Sequence, residues 1–366
     1  MRFVFRRRTL GPLLGIASLA LVLMCALAPS AQAQPFGAWM TLVGDPTNGY
    51  IEIAPATVLN PTSAFTFEAW VAISNNTSGE DCRSIAGKNY QEAWWIGVCN
   101  VGGQPTLRSY LKGGSSARNG GIVPRGVWTH VAVVFNGTKR YHFINGELAA
   151  QFNETGPLPT NDAPMRIGSD ELWNHTPSGA IDEVRLWNVA RTVSEIRQTI
   201  NVAITGAKPG LVGLWALDGN TRDTIGGHHG VVGGSGAEAT TFPAVFTCGA
   251  TTPSALCLND RFLVTAKWRT NPVPGSPTDG NATVATFAEN SGVFWFFSPD
   301  NWEVMVKALN GCASNSHYWV YSAATTNVFY RMEVMDVRAG QQKIYFNYPG
   351  PPAPANTDGV AFETCP

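Results

Sequence analysis

The sequence predicts an all-β protein built as two consecutive sandwiches, and three observations predict it. Runs of β-prone residues are separated by Asn-Gly pairs. Helical periodicity is almost absent. Turn formers are abundant, with 38 Gly and 24 Pro in 366 residues, while only 14% of residues are charged. Asn and Gly tolerate the positive φ of tight hairpins, so Asn-Gly between such runs is the strongest short hairpin signal.

The chain opens on a processing signal. Arg2, Arg6, Arg7 and Arg8 form a basic start, an apolar run follows to about Ala28, and Ala31-Gln-Ala33 offers the small residues that a signal peptidase cuts after. Residues 1–33 are therefore expected to be removed. A retained anchor is the alternative, but Gly11, Pro12 and Gly15 interrupt a run that is short for a membrane span. No stable membrane insertion is expected after cleavage. Removing four arginines and no acid leaves 21 basic residues against 26 acidic ones, a balance near −5. Nucleic acid, which needs concentrated positive charge, is not an expected partner.

From residue 40 to about 235 the pattern is almost wholly β. Trp128–Phe135, Arg140–Ile144 and Glu147–Phe152 are joined by Asn136-Gly137 and Asn145-Gly146, which predicts a three-stranded meander. Ala93–Cys99 and Thr106–Leu111 alternate in the same way. The one good helix lies at 192–200, where Thr192 has an acid, Glu195, three residues on. After Gly226 the chain turns Gly-rich, which reads as a linker closing a first domain over 34–247. A second domain, 248–366, has six β-prone runs at 261–268, 292–297, 302–309, 318–322, 328–337 and 342–347, enough for a smaller sandwich. Tyr348–Pro354 reads as an extended loop before a last strand.

Six cysteines follow the signal segment: Cys82, Cys99, Cys248, Cys257, Cys312 and Cys365. An even count in an exported chain favours disulfides, and no Cys-x-x-Cys spacing suggests a metal. Six cysteines allow fifteen pairings. The pairing expected is Cys82–Cys99 and Cys248–Cys257 locally, with Cys312–Cys365 tying back the carboxyl end.

Several motifs in order resemble one family. Gly49–Ile53, Leu59–Val71, Arg83–Lys88, Gly126–Ala132, Ile144–Glu147, Met165–Ser169 and Gly179–Trp187 with Ser194–Ile196 together resemble the laminin-G-like branch of the concanavalin A-like lectin/glucanase jelly rolls, over about 41–233. Leu211–Gly219 also recurs in such proteins. The resemblance implies a two-sheet sandwich that holds glycans or protein surfaces outside the cell. Cys257–Phe262, Ser291–Phe297, Asp300–Glu303, Leu309–Cys312 and His317–Val320 resemble an accessory domain of exported bacterial proteins, which implies a compartment and no chemistry. Related jelly rolls often hold calcium through Asp and Asn oxygens, the hard ligands that ion prefers. By that resemblance Asp182, in the closing strand, and Asp45, before the first strand, would share a Ca²⁺. The other reading of Asp182 is a carboxylate bonded to turn amides.

The expected function is non-catalytic recognition or adhesion at an extracellular polysaccharide or glycoprotein, by a secreted or periplasmic protein. Trp70, Trp128, Trp187 and Trp215 read as sandwich core. Trp94 and Trp95 are adjacent, so in a strand they face opposite sides and one of them is free for a sugar ring. Trp173 in its loop is a second candidate, with Asn89, Tyr90, Arg108 and Tyr110 beside them on a sheet face or rim. Glycan hydrolysis needs paired carboxylates. The alternating Glu-x-Asp-x-x-Glu of jelly-roll glucanases is absent, and Asp182-Glu183 should point to opposite faces. No nucleophile elbow, zinc-protease or phosphate-loop motif occurs either. An envelope accessory protein that binds another protein is the alternative; a glycoside hydrolase is a more distant one.

Overall fold

The computed structural model of the protein describes residues 38–43, 48–74, 82–170, 175–240, 245–270, 279–350 and 353–366. The expected signal segment, Asp45 and Trp173 lie outside them. Gln32–Pro366 form one compact unit.

The first sandwich begins with β1 (Trp39–Leu42), β2 (Tyr50–Ile53), β3 (Phe65–Ile73), β4 (Cys82–Gly87) and β5 (Trp95–Val101). It continues through β6 (Gln104–Tyr110), β7 (Arg118–Ile122), β8 (Thr129–Phe135), β9 (Lys139–Ile144) and β10 (Glu147–Asn153). Then come β11 (Met165–Ile167), β12 (Gly179–Trp187), helix α1 (Val193–Thr199), β13 (Leu211–Trp215), β14 (Gly230–Gly233) and β15 (Ala237–Thr240). An eight-stranded antiparallel sheet runs β10-β9-β8-β3-β12-β1-β15, with β13 also on β12, and a seven-stranded sheet runs β14-β2-β11-β4-β5-β6-β7.

The two-residue period of a strand explains the layering. Phe65, Phe67, Ala69, Val71 and Ile73 of β3 enter the core with Ile96, Val98 and Leu107 of the other sheet, while Trp70 and Ala72 point away. The expected meander is β8–β9–β10, and Asn145 and Gly146 turn it at φ 50° and 73°. The expected helix is α1, whose Thr192 and Glu195 form a reciprocal capping box. The Gly-rich stretch read as a linker instead supplies β14, which pairs with β2, and β15, which pairs with β1. Glycine is required there by close approach. A Cβ on Gly230 would lie 2.2 Å from Ile51, and one on Gly49 would lie 2.2 Å from the Gly236 backbone.

The second sandwich contains β16 (Leu256–Leu258), β17 (Phe262–Arg269), β18 (Asp279–Asn281), β19 (Thr283–Ala288) and β20 (Ser291–Trp295). It is completed by β21 (Trp302–Gly311), β22 (His317–Ala324), β23 (Phe329–Asp336), β24 (Gln341–Asn347) and β25 (Asn356–Phe362). Its sheets run β16-β17-β23-β24, with β18 on β17, and β19-β20-β21-β22-β25. All six anticipated runs are strands. The three disulfides are Cys82–Cys99, Cys248–Cys257 and Cys312–Cys365, the pairing expected.

The second sandwich covers the outer face of the eight-stranded sheet. Trp39, Trp70, Trp128 and Ala180 pack there against Met335, Val337 and Ile344, and Trp70 stacks on Phe346 with ring centroids 6.2 Å apart. Arg331 donates to the Trp128 carbonyl at 2.7 Å. This corrects the expectation for three tryptophans. Trp215 lies between the sheets, but Trp70 and Trp128 are buried on the outer face, and Trp187 packs outside with Ile204 and Leu214. They alternate with inward residues, so a second layer is what buries them.

Candidate functional site

The outer face of the seven-stranded sheet carries a cavity of about 280 Å³, lined by Cys82, Tyr90, Trp95, Arg108, Tyr110, Asp170 and His175. Its construction starts at a missing side chain. Across three strands the register sets Ser84 beside Gly97 beside Arg108, and Trp95 beside Tyr110. A Cβ on Gly97 would come within 2.3 Å of both the Trp95 ring and the Arg83 carbonyl, so only glycine lets the indole lie across the strand. The indole N–H then donates to Ser84 Oγ at 2.8 Å. Ser84 faces Asp170 Oδ2 at 3.4 Å, and His175 Nδ1 meets that same oxygen at 2.8 Å. Trp95 is a fixed floor with 2% of its surface exposed. Tyr110 stands edge-on to it at 5.6 Å and Tyr90 edge-on to Tyr110 at 5.5 Å, both half-buried. The Cys82–Cys99 bridge clamps the two strands directly opposite each other.

Four of the seven ligand residues anticipated from sequence therefore meet in one cavity: Tyr90, Trp95, Arg108 and Tyr110. Two others stand elsewhere. Trp94 packs in the core on Phe65 and Phe67, at 5.3 and 6.0 Å, and offers no face to a ligand. Strand alternation sends it inward because Trp95 goes out. Asn89 is a turn residue at φ 54°, its Oδ1 accepting from the Gln91 amide and its carbonyl from the Ala93 amide. It presents Tyr90. Ser84, Asp170 and His175 were not anticipated. No spacing marks them, since they come from separate segments and meet only through strand pairing.

Arg108 is held from one side. Its Nε–H donates to Asn119 Oδ1 at 2.6 Å, and Nη1 lies 3.6 Å from Cys82 Sγ. Asp170 is the one carboxylate lining the cavity among the described residues.

The calcium expectation falls on the opposite face. Asp182 is wholly buried on the outer side of the eight-stranded sheet, paired in register with Trp70. Neither of its carboxylate oxygens has a hydrogen-bond partner. Burial first, then the charges of Glu183 and Asp218, push its carboxyl well above the usual range. A β-bulge between Asp182 and Arg185, with Glu183 at φ 50°, breaks the alternation that would have parted Asp182 from Glu183. An orphaned buried carboxylate is suited to a cation. Asp45 lies outside the described residues, and among those described no group of three His, Cys, Asp or Glu side chains could hold a metal.

No curated protein matches the sequence. Among solved structures, a Bacteroides ovatus ATCC 8483 protein provisionally described as carbohydrate-binding is 22% identical, with a TM-score of 0.47 over 56% of this chain and 60% of that one. This chain thus spans less than two thirds of that protein. The SAP-like pentraxin of Limulus polyphemus is 14% identical, with a TM-score of 0.39 over 55% and 97%. The CBM40 of the Ruminococcus gnavus IT-sialidase is 14% identical, with a TM-score of 0.33 over 45% and 94%. A family model described as "Concanavalin A-like lectin/glucanases superfamily" matches residues 45–197. The matched span takes in β2 to β12 and ends within α1, and over residues 45–197 this chain is similar to the concanavalin A-like lectin and glucanase superfamily.

Proposed function

We propose that this is an exported, non-catalytic recognition protein that binds an extracellular polysaccharide or glycoprotein glycan in the Tyr90–Arg108–Tyr110 cavity. The observation that carries the reading is the cavity's make-up: aromatic rings on a rigid floor with a few convergent polar groups, the usual composition of a ligand site. The rings suit the C–H face of a sugar, and Arg108, His175 and the phenols suit its hydroxyls. The non-catalytic part is supported by the cavity lining, in which Asp170 is the one carboxylate among the described residues and is already engaged by His175 and Ser84, whereas glycoside hydrolysis takes two. Export is supported by the three disulfides, which persist in oxidising compartments. Among the described residues, no helix is long and apolar enough to cross a membrane.

Calcium at Asp182, with Asp45 as its partner, belongs to this proposal as a structural ion. Asp182 lies on the sheet face away from the cavity, so the ion would brace the fold and not touch the ligand. Its support is the orphaned carboxylate. Calorimetric titration of the mature protein with Ca²⁺ tests it, and heat absent in both wild type and Asp182→Asn removes the ion from the proposal.

A glycan array probed with the mature protein tests the main reading. Binding should fall at least tenfold in Tyr110→Ala with the fold unchanged. Silence across the array, or release of reducing sugar from any polysaccharide, would overturn it.

A further inference from the structure

Resting on that reading, we propose that the glycan held in the cavity is acidic, with a sugar carboxylate seated on Arg108. Arginines in the two sandwiches are commonly matched by acids: Arg140 pairs with Glu154, Arg185 with Glu183 at 2.7 Å, and Arg261 with Asp336 at 2.7 Å. The nearest comparison is Arg166, on the same sheet as Arg108, which meets Glu52 on the neighbouring strand at 2.8 Å. Arg108 occupies the equivalent kind of position and has no carboxylate of a described residue within ion-pair distance.

Its hydrogen bonds sharpen the point. Asn119, a neutral acceptor, takes the Nε–H, and the disulfide sulfur is a weak acceptor for Nη1. Among the described residues nothing accepts from Nη2, and Arg108 lines the cavity. Asp170 lines the same cavity, but its Oδ2 is turned to His175 and Ser84. A guanidinium presents parallel N–H groups in a fork that fits a carboxylate and stays charged at any working pH. Asn119 fixes the fork's orientation before the ligand arrives, which reduces the ordering cost of binding. Beside it, Tyr90 and Tyr110 offer faces for the ring that carries the acid. The geometry therefore favours uronic-acid-type residues over neutral hexoses.

The test is calorimetry on the mature protein with oligogalacturonate, oligoglucuronate and alginate oligosaccharides, each beside its fully methyl-esterified form. The acid form should bind roughly 10- to 100-fold more tightly than its ester, as a charge-assisted pair contributes. Raising salt from 0.05 to 0.5 M should narrow that gap. In Arg108→Gln the acid form should bind no more tightly than its ester, and Arg108→Lys should recover part of the preference, with thermal melts confirming that both fold. Equal affinity for acid and ester, unchanged in Arg108→Gln, overturns the inference and leaves glycan recognition standing. Binding of sulfated dextran without any uronate does the same. Binding of no glycan at all overturns both.

Discussion

The two outer faces of the first sandwich are both aromatic, and they end differently. On the eight-stranded face, Trp39, Trp70 and Trp128 are sealed beneath β23 and β24. On the seven-stranded face, Trp95 is sealed by its own neighbours, Gly97 and the two tyrosines, and a cavity remains above it. A tryptophan pointing out of a sheet is thus no sign of a ligand. What separates the faces is whether a second layer of protein supplies the missing contacts. The covered face also carries the buried charge network of Glu68, Arg191, Arg185 and Glu183, while the open face leaves Arg108 without an acid among the described residues.

Substitutions can break this contrast, beginning with the largest effect. Trp70→Ala on the covered face should cost about 3–5 kcal/mol, as expected for a buried aromatic, and leave glycan affinity unaltered in the protein that still folds. Urea melts and calorimetry together check it, and a binding defect out of proportion to the folded fraction would show that the faces communicate.

Removing the open-face clamp comes next. Cys82→Ala with Cys99→Ala opens a 17-residue loop and should cost roughly 3 kcal/mol by urea melts. Affinity should drop as well, because Cys82 is part of the cavity wall.

Acid should weaken the covered face first. Burial alone would raise the Glu68 carboxyl, but its His130 hydrogen bond and the charges of His130, Arg191 and Arg185 overcome that and hold it at about 2. A folded value below the ordinary 4.5 means that the stabilisation is present above pH 4.5 and is lost as pH falls through about 2. The loss at full protonation is on the order of 3 kcal/mol. Urea midpoints at pH 7 and pH 3 should diverge in wild type and converge in Glu68→Gln; equal slopes would refute the assignment.

Gly97→Ala is the smallest change. It should cost about 1–3 kcal/mol through its clash with the Arg83 carbonyl and the Trp95 ring. It should also shift tryptophan fluorescence as the floor tilts. An unshifted spectrum would mean that the indole does not depend on the gap.

Much of this was legible in the chain. Asn145-Gly146 announced its hairpin, Thr192 with Glu195 its helix cap, and the even cysteines their local pairing, because each depends on residues close in sequence. The open site was half legible: Tyr90, Trp95, Arg108 and Tyr110 stand out as aromatic or charged residues on alternating strands. The rest needed the third dimension. Ser84, Asp170 and His175 form a chain of contacts only after β4, β11 and the segment before β12 converge. The fate of Trp70 and Trp128 depended on partners more than two hundred residues away, and the bulge after Asp182 overturned a facing rule that regular strands obey. The Gly-rich stretch misled for a related reason, since glycine there answers to crowding between backbones and not to freedom.

That stretch also governs the order of assembly. Both edges closed by β14 and β15 belong to strands laid down at the start, β2 and β1, so the earliest pleats stay unpaired on one side until roughly residue 240 is synthesised. Pairings of such sequence separation form slowly. Until those pairings form, β1 and β2 each keep an open edge of the kind that pairs with other chains.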